Sequence, residues 1–149
     1  MTTQDSPDFD AIIIGAGMSG LFQLHRLREL GLKVRVFEAG TGVGGTWYWN
    51  RNPGARFDSE SYSYGYSFSK ELLAEWDWTE HFSPQPETLR YLNHVADRFD
   101  LRRDMRFETR VGKAAKAMGR LRPQERDEWG RPTPVWIITV NRAIAKRTK

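Results

Sequence analysis

The turn Gly15-Ala-Gly-Met-Ser-Gly20 restricts what this chain can fold into more than any other feature of it. G-x-G-x-x-G alone is a weak signal. It gains force when it follows a strand, opens a helix and is answered by an acidic residue at the end of the next strand. All three conditions hold. Ala11-Ile-Ile-Ile14 is short, apolar and β-branched, as suits a strand buried on both faces. Leu21, Leu24 and Leu27 then recur at near-helical spacing, and Gly31 supplies a C-terminal stop. Lys33 to Phe37 alternates as a second strand and ends at Glu38. Strand, glycine turn, helix and strand make one βαβ unit with a right-handed crossover. The expected fold class is therefore α/β: a Rossmann-like domain that starts βαβ and builds a parallel sheet.

Each glycine has a distinct physical task in such a turn. Gly15 permits the tight bend, Gly17 lets backbone approach a pyrophosphate, and Gly20 lets helix and strand pack closely. The helix start offers unpaired N–H groups and a partial positive charge to phosphates, with Ser19 as a neighbour of the pyrophosphate. Glu38 stands 18 residues after Gly20, where a ribose-binding acid belongs. Its carboxylate accepts from both ribose hydroxyls and repels a 2′-phosphate, so this site suits FAD or NAD rather than NADP. Gly44-Gly45 would allow a second close approach to the dinucleotide. Trp47 and Trp49 would wall a flavin or pack in the core, and the residues alone leave these two readings open.

Composition removes other chemistries. There is no cysteine, hence no disulfide, thiolate metal site or cysteine nucleophile. His25, His81 and His94 lack metal-ligand spacing. The first eight residues are polar and acidic without an apolar core, so no signal peptide is expected, and a cytoplasmic location follows as an expectation. No apolar run is long enough to span a membrane. The net charge of +4 is uneven: residues 112–149 hold 10 Lys and Arg against 3 Asp and Glu, and residues 1–111 hold 13 against 16. Those basic residues are scattered and carry no recognition motif, so no nucleic-acid partner is expected.

Beyond Glu38 the pattern predicts a long loop from Ala39 to Ser59, held by Trp47-Tyr48-Trp49. An extended segment with an aromatic face is predicted over Ser61–Ser69, where Tyr62, Tyr64, Tyr66 and Phe68 alternate with Ser or Gly. A helix should start near Ser83-Pro84 and run to about residue 100. Met105, Phe107, Thr109 and Val111 alternate as another strand. After that the periodicity fades. Lys113–Met118 reads as a short helix and Val135–Val140 as a strand.

Together, Gly15–Gly20, Glu38, Gly44-Gly-Thr-Trp-Tyr-Trp49 and the run Asn50-Arg-Asn-Pro-Gly-Ala-Arg-Phe-Asp58-Ser-Glu-Ser61 resemble the N-terminal part of Baeyer–Villiger monooxygenases. The likeness extends through Tyr64–Ser69, Glu75–Glu80 and the Tyr91–Phe99 helix, from about residue 9 to Val111. It implies an FAD-binding Rossmann-type domain over 9–111 and a flavin enzyme that uses NADPH and O2 to convert a ketone into an ester or lactone. It also implies FAD contacts at Glu38, Thr46, Trp47, Tyr48, Trp49, Asp58, Tyr64 and Val111. Arg56, Phe57 and Asp58 would lie where the nicotinamide end of NADP meets the flavin. Asp58 is the catalytic candidate, a carboxylate able to orient an arginine and tune nearby pKa values. Arg56 suits a phosphate or Asp58 itself.

The resemblance also implies parts that this sequence lacks: a second G-x-G-x-x-G for NADP, the Phe-x-Gly-x-x-x-His-x-x-x-Trp fingerprint and a substrate domain. The domain is thus expected to be incomplete and inactive alone, its basic tail 112–149 irregular and out of frame or cut short. Two alternatives stay open: a truncated non-catalytic dinucleotide-binding module, or a fragment of an amine- or sulfide-oxidising flavin monooxygenase.

Overall fold

A computed structural model describes residues 9–111 and the backbone of 136–139. Strand β1 (Ala11–Ile14) leads through the glycine turn into helix α1 (Met18–Glu29), and β2 (Val34–Phe37) follows. Three short helices, α2 (Thr46–Trp49), α3 (Ser61–Tyr64) and α4 (Lys70–Glu75), precede the long α5 (Gln85–Arg98). A 3-10 turn, Arg102–Asp104, enters β3 (Met105–Arg106), and the last described strand is β4 (Trp136–Thr139). All pairings are parallel and the sheet order is β3-β2-β1-β4. The order reverses at β1, and open α/β sheets bind their ligands beyond the carboxyl ends of the strands at such a point.

Burial explains the sheet. Ala11, Ile13, Val34 and Val36 are buried while the alternate residues are only partly so, and Leu21 and Leu24 of α1 cover them. Helix α1 stops at Gly31 (φ +77°) in a Schellman motif: Leu32 N–H donates to Leu27 O at 3.1 Å and Gly31 N–H to Arg28 O at 2.9 Å. Helix α5 starts after its N-cap Pro84, with Pro86 in its first turn, and buries Tyr91, Leu92, Val95 and Ala96. The expected strands at 11–14 and 34–37 and both long helices are present within a residue or two.

Two expectations fail. Ser61–Ser69 is not extended: it holds α3 and then a turn into α4. Its aromatics do not share a face, since Tyr62 is 65% exposed and Tyr66 only 7%. Long-range bonds override the alternation. Ser61 Oγ donates to the Glu80 carbonyl at 2.6 Å, Tyr66 N–H donates to the Tyr91 hydroxyl at 2.7 Å, and the Tyr66 hydroxyl donates to Met18 O. The strand expected through Val111 is only two residues long. Glu108 takes φ +51°, and the chain instead hugs the residues after β2, with Glu108 N–H on Gly40 O and Thr109 N–H on Glu38 O. The long loop also contains α2. The helix expected at Lys113–Met118 lies outside the described residues, whereas the strand expected at Val135–Val140 appears as β4.

Candidate functional site

The glycine turn sits at the carboxyl end of β1. Gly15 has φ +101°, a conformation that L side chains rarely adopt, and its N–H donates to Phe37 O at 2.8 Å. A Cβ on Gly20 would stand 2.1 Å from Gly15 O, so only glycine lets α1 close on the turn. Gly17 caps α1 without any side-chain bond, and the first turn of α1 contains no acidic residue. Ser19 is exposed there. An uncapped helix start of this kind presents N–H groups and positive dipole to an anion.

Glu38 follows β2 and is 5% exposed. Its two oxygens accept separate backbone bonds at 2.7 Å: one from Ala16 N–H, inside the glycine turn, and one from Gly40 N–H. Each oxygen retains a further lone pair for a ribose hydroxyl. Glu38 thus has a structural job besides the expected one: it ties the end of β2 to the glycine turn. Neither amide partner was visible in the sequence, because a backbone group leaves no signature there.

The aromatic run divides. Trp47 is buried, donates from Nε1 to the Tyr64 hydroxyl at 2.6 Å and packs edge-on to Phe57, ring centroids 5.7 Å apart. Phe57 and Tyr64 stack at 4.3 Å with planes 5° apart. Burial pushes the Tyr64 hydroxyl pKa up, against the bond from Trp47 that lowers it. Gln85 was missed in sequence; its Nε2 donates to Trp47 O and fixes α2 on α5. Thr46 and Trp49 are exposed, and Tyr48 folds over the loop with its hydroxyl 2.7 Å from Thr41 Oγ1. The Thr41 bonds hold the Tyr48 hydroxyl pKa below its usual value.

Arg56 does not reach Asp58. Its guanidinium pairs with Glu80 at 2.9 Å and donates to Phe82 O at 3.0 Å. Asp58 is exposed, and no hydrogen bond or ion pair joins it to another described residue. Val111 is half-buried and outside any regular element. Among the described residues no cluster of three His, Asp or Glu could hold a metal ion, and no helix is long and apolar enough to cross a membrane.

Sheet order, glycine turn and Glu38 define a Rossmann-like dinucleotide-binding domain, and the donor set fits a dinucleotide. Residues 13–73 match the family model described as an NAD(P)-binding Rossmann-like domain. The Baeyer-Villiger monooxygenase of Pseudooceanicola batsensis is 55% identical over 105 residues, 70% of this chain and 19% of the relative. The acetone monooxygenase (methyl acetate-forming) of Gordonia sp. is 55% identical over 105 residues, 70% of this chain and 20% of the relative. Among solved structures, the complex of OTEMO with FAD and NADP superposes with a TM-score of 0.68 at 53% identity, covering 72% of this chain and 20% of that one. The matched region is thus similar to the corresponding part of Baeyer–Villiger monooxygenases. The chain spans about a fifth of the length of the relatives that it matches.

Proposed function

We propose that this region is the FAD-binding part of a Baeyer–Villiger-type monooxygenase, an enzyme that oxidises a small ketone to an ester or lactone with NADPH and O2. The observation that carries the reading is the uncapped start of α1 beside a buried Glu38 at the end of β2. A carboxylate there favours ribose with free hydroxyls and disfavours a 2′-phosphate. That leaves FAD or NAD for this site, and the likeness to flavin monooxygenases selects FAD, with NADP bound elsewhere in the longer proteins. The relatives support the choice, since one is a methyl acetate-forming acetone monooxygenase and one similar structure is a complex with FAD and NADP.

The chain's own residues would act as follows. First-turn amides at Gly17 to Gly20, with Ser19, take the pyrophosphate, and Glu38 takes the adenosine ribose. Thr46–Trp49, Phe57 and Tyr64 face or support the flavin end, with Arg56 and Asp58 toward the nicotinamide side and Val111 at the edge. The flavin, when bound, supplies the redox chemistry. Residues 9–111 act as the binding domain, and β4 adds a strand to its sheet. The 149 residues alone do not turn over a ketone. The cytoplasm is the proposed compartment.

The test is spectroscopic. The purified chain, titrated with FAD and passed through a desalting column, retains the flavin's visible absorption. A colourless protein that does not quench FAD fluorescence refutes the FAD site. NADPH-dependent oxygenation of cyclohexanone by this chain alone refutes its inactivity.

A further inference from the structure

Ala16, in the middle of the glycine turn, has both backbone polar groups engaged without any ligand. Its N–H donates to Glu38 at 2.7 Å, and its C=O accepts from Gly44 N–H at 2.9 Å. The next residues touch as well: a Cβ on Gly45 would stand 2.7 Å from Gly17 Cα, and one on Gly17 would stand 3.2 Å from Gly45 Cα. Gly44 in turn has room for no side chain, since its Cβ would meet Leu89 Cδ1 at 2.6 Å and Tyr48 N at 3.1 Å. The residue before α2 is therefore packed against the residue before α1, backbone to backbone. The two glycine stretches form one body, and α5 backs it through Leu89.

From this geometry we infer that Gly45 is a positioning residue of the dinucleotide site: by contact with Gly17 it fixes the peptides that receive the pyrophosphate. Besides any approach of its own to the ligand, Gly45 is thus a brace behind the first glycine stretch. The inference rests on the proposed dinucleotide site, and it applies to any ligand whose phosphates use that turn. A brace of this kind sets the direction of the Gly17 and Met18 N–H groups before binding, so little ordering cost falls on association.

The experiment uses the full chain, with ADP and FAD as probes. Gly54 is the control, because it too has a positive φ (+78°, against +54° at Gly45) while a Cβ there meets nothing within 4 Å. Gly45→Ala is expected to weaken ADP and FAD equally, by about tenfold or more, since ångström-scale misplacement of recognition groups costs on that order. Gly54→Ala keeps wild-type affinity for both. Equal affinities in the two variants overturn the brace. If Gly45→Ala does not fold, amide exchange of the unliganded wild type decides: Ala16 and Gly44 amides exchange as slowly as those of β1, and free-coil exchange at either refutes the inference. A wild type that binds ADP but not FAD sinks the flavin reading and leaves the brace testable. A wild type that binds FAD, with Gly45→Ala unchanged, does the reverse.

Discussion

Replacing Glu38 by glutamine separates the two jobs of that residue. In the folded chain its oxygens take one N–H each, from Ala16 and from Gly40, both at 2.7 Å and at a site only 5% exposed. A glutamine keeps the shape and can accept one of these bonds through its carbonyl. Its NH2 group then faces the other amide, donor against donor. One charge-assisted bond is lost and one buried N–H is left unpaired, a cost of about 2–3 kcal/mol. For a domain of this size, with a urea m-value of about 1–3 kcal/mol per molar, the midpoint should fall by roughly 1 M. The assay is urea unfolding of the ligand-free chain, followed by tryptophan fluorescence. Glu38→Ala should fall further, because both amides lose their acceptor. An unchanged midpoint for ligand-free Glu38→Gln would refute the structural role and return Glu38 to a purely ligand-binding one.

Gly20→Ala should cost about 1–3 kcal/mol in the same assay despite alanine's better helix propensity, because its Cβ meets backbone rather than a movable side chain. Trp47→Phe should lose about 1 kcal/mol, the bond from Nε1 to the Tyr64 hydroxyl, while Arg56→Ala should lose under about 1 kcal/mol because its pair with Glu80 is exposed. Burial alone would raise the Glu87 carboxyl, but bonds from Ser83 and Thr79 outweigh it and the net pKa is lowered. Glu87 therefore stabilises the fold above the ordinary carboxylate pKa, and that contribution disappears as pH falls through its lower folded value. Urea midpoints for wild type and Glu87→Gln should converge between neutral and acid pH; a gap that widens toward acid contradicts the sign.

The periodic parts of the fold were legible because one local cause decides them. Ala11–Ile14, Leu21–Leu27 and the Tyr91–Ala96 stripe repeat at the spacing of their element, and each buries the face that the repeat defines. The Ser61–Ser69 alternation shows the opposite case. Tyr62 and Tyr66 look equivalent at period two, yet Tyr66 is placed by Met18 and Tyr91, residues 48 and 25 positions away, and Tyr62 points outward. Likewise nothing near Glu108 announces that it will turn to φ +51° to follow Gly40.

At the site, the glycines and Glu38 could be assigned from chemistry alone, since a turn, a helix start and a carboxylate have few other uses in that order. Their supports could not. Trp47 illustrates why: the sequence leaves flavin contact and core packing equally open, and the structure places its ring among Phe57, Tyr64 and the core with its Nε1 already donated. Whatever Trp47 contributes near a flavin must pass through the position of that cluster, while exposed Trp49 and Thr46 are free to touch a ligand directly. The same division holds for the two glycine stretches. Gly15 to Gly20 could be read as the turn that opens α1; Gly44-Gly45 packs against Ala16 and Gly17, a contact that appears only when both loops are in place. On the proposed site, binding would draw on supporting residues as well as on contacting ones, and Gly45→Ala beside Trp49→Ala is the pair of substitutions that tells support from contact.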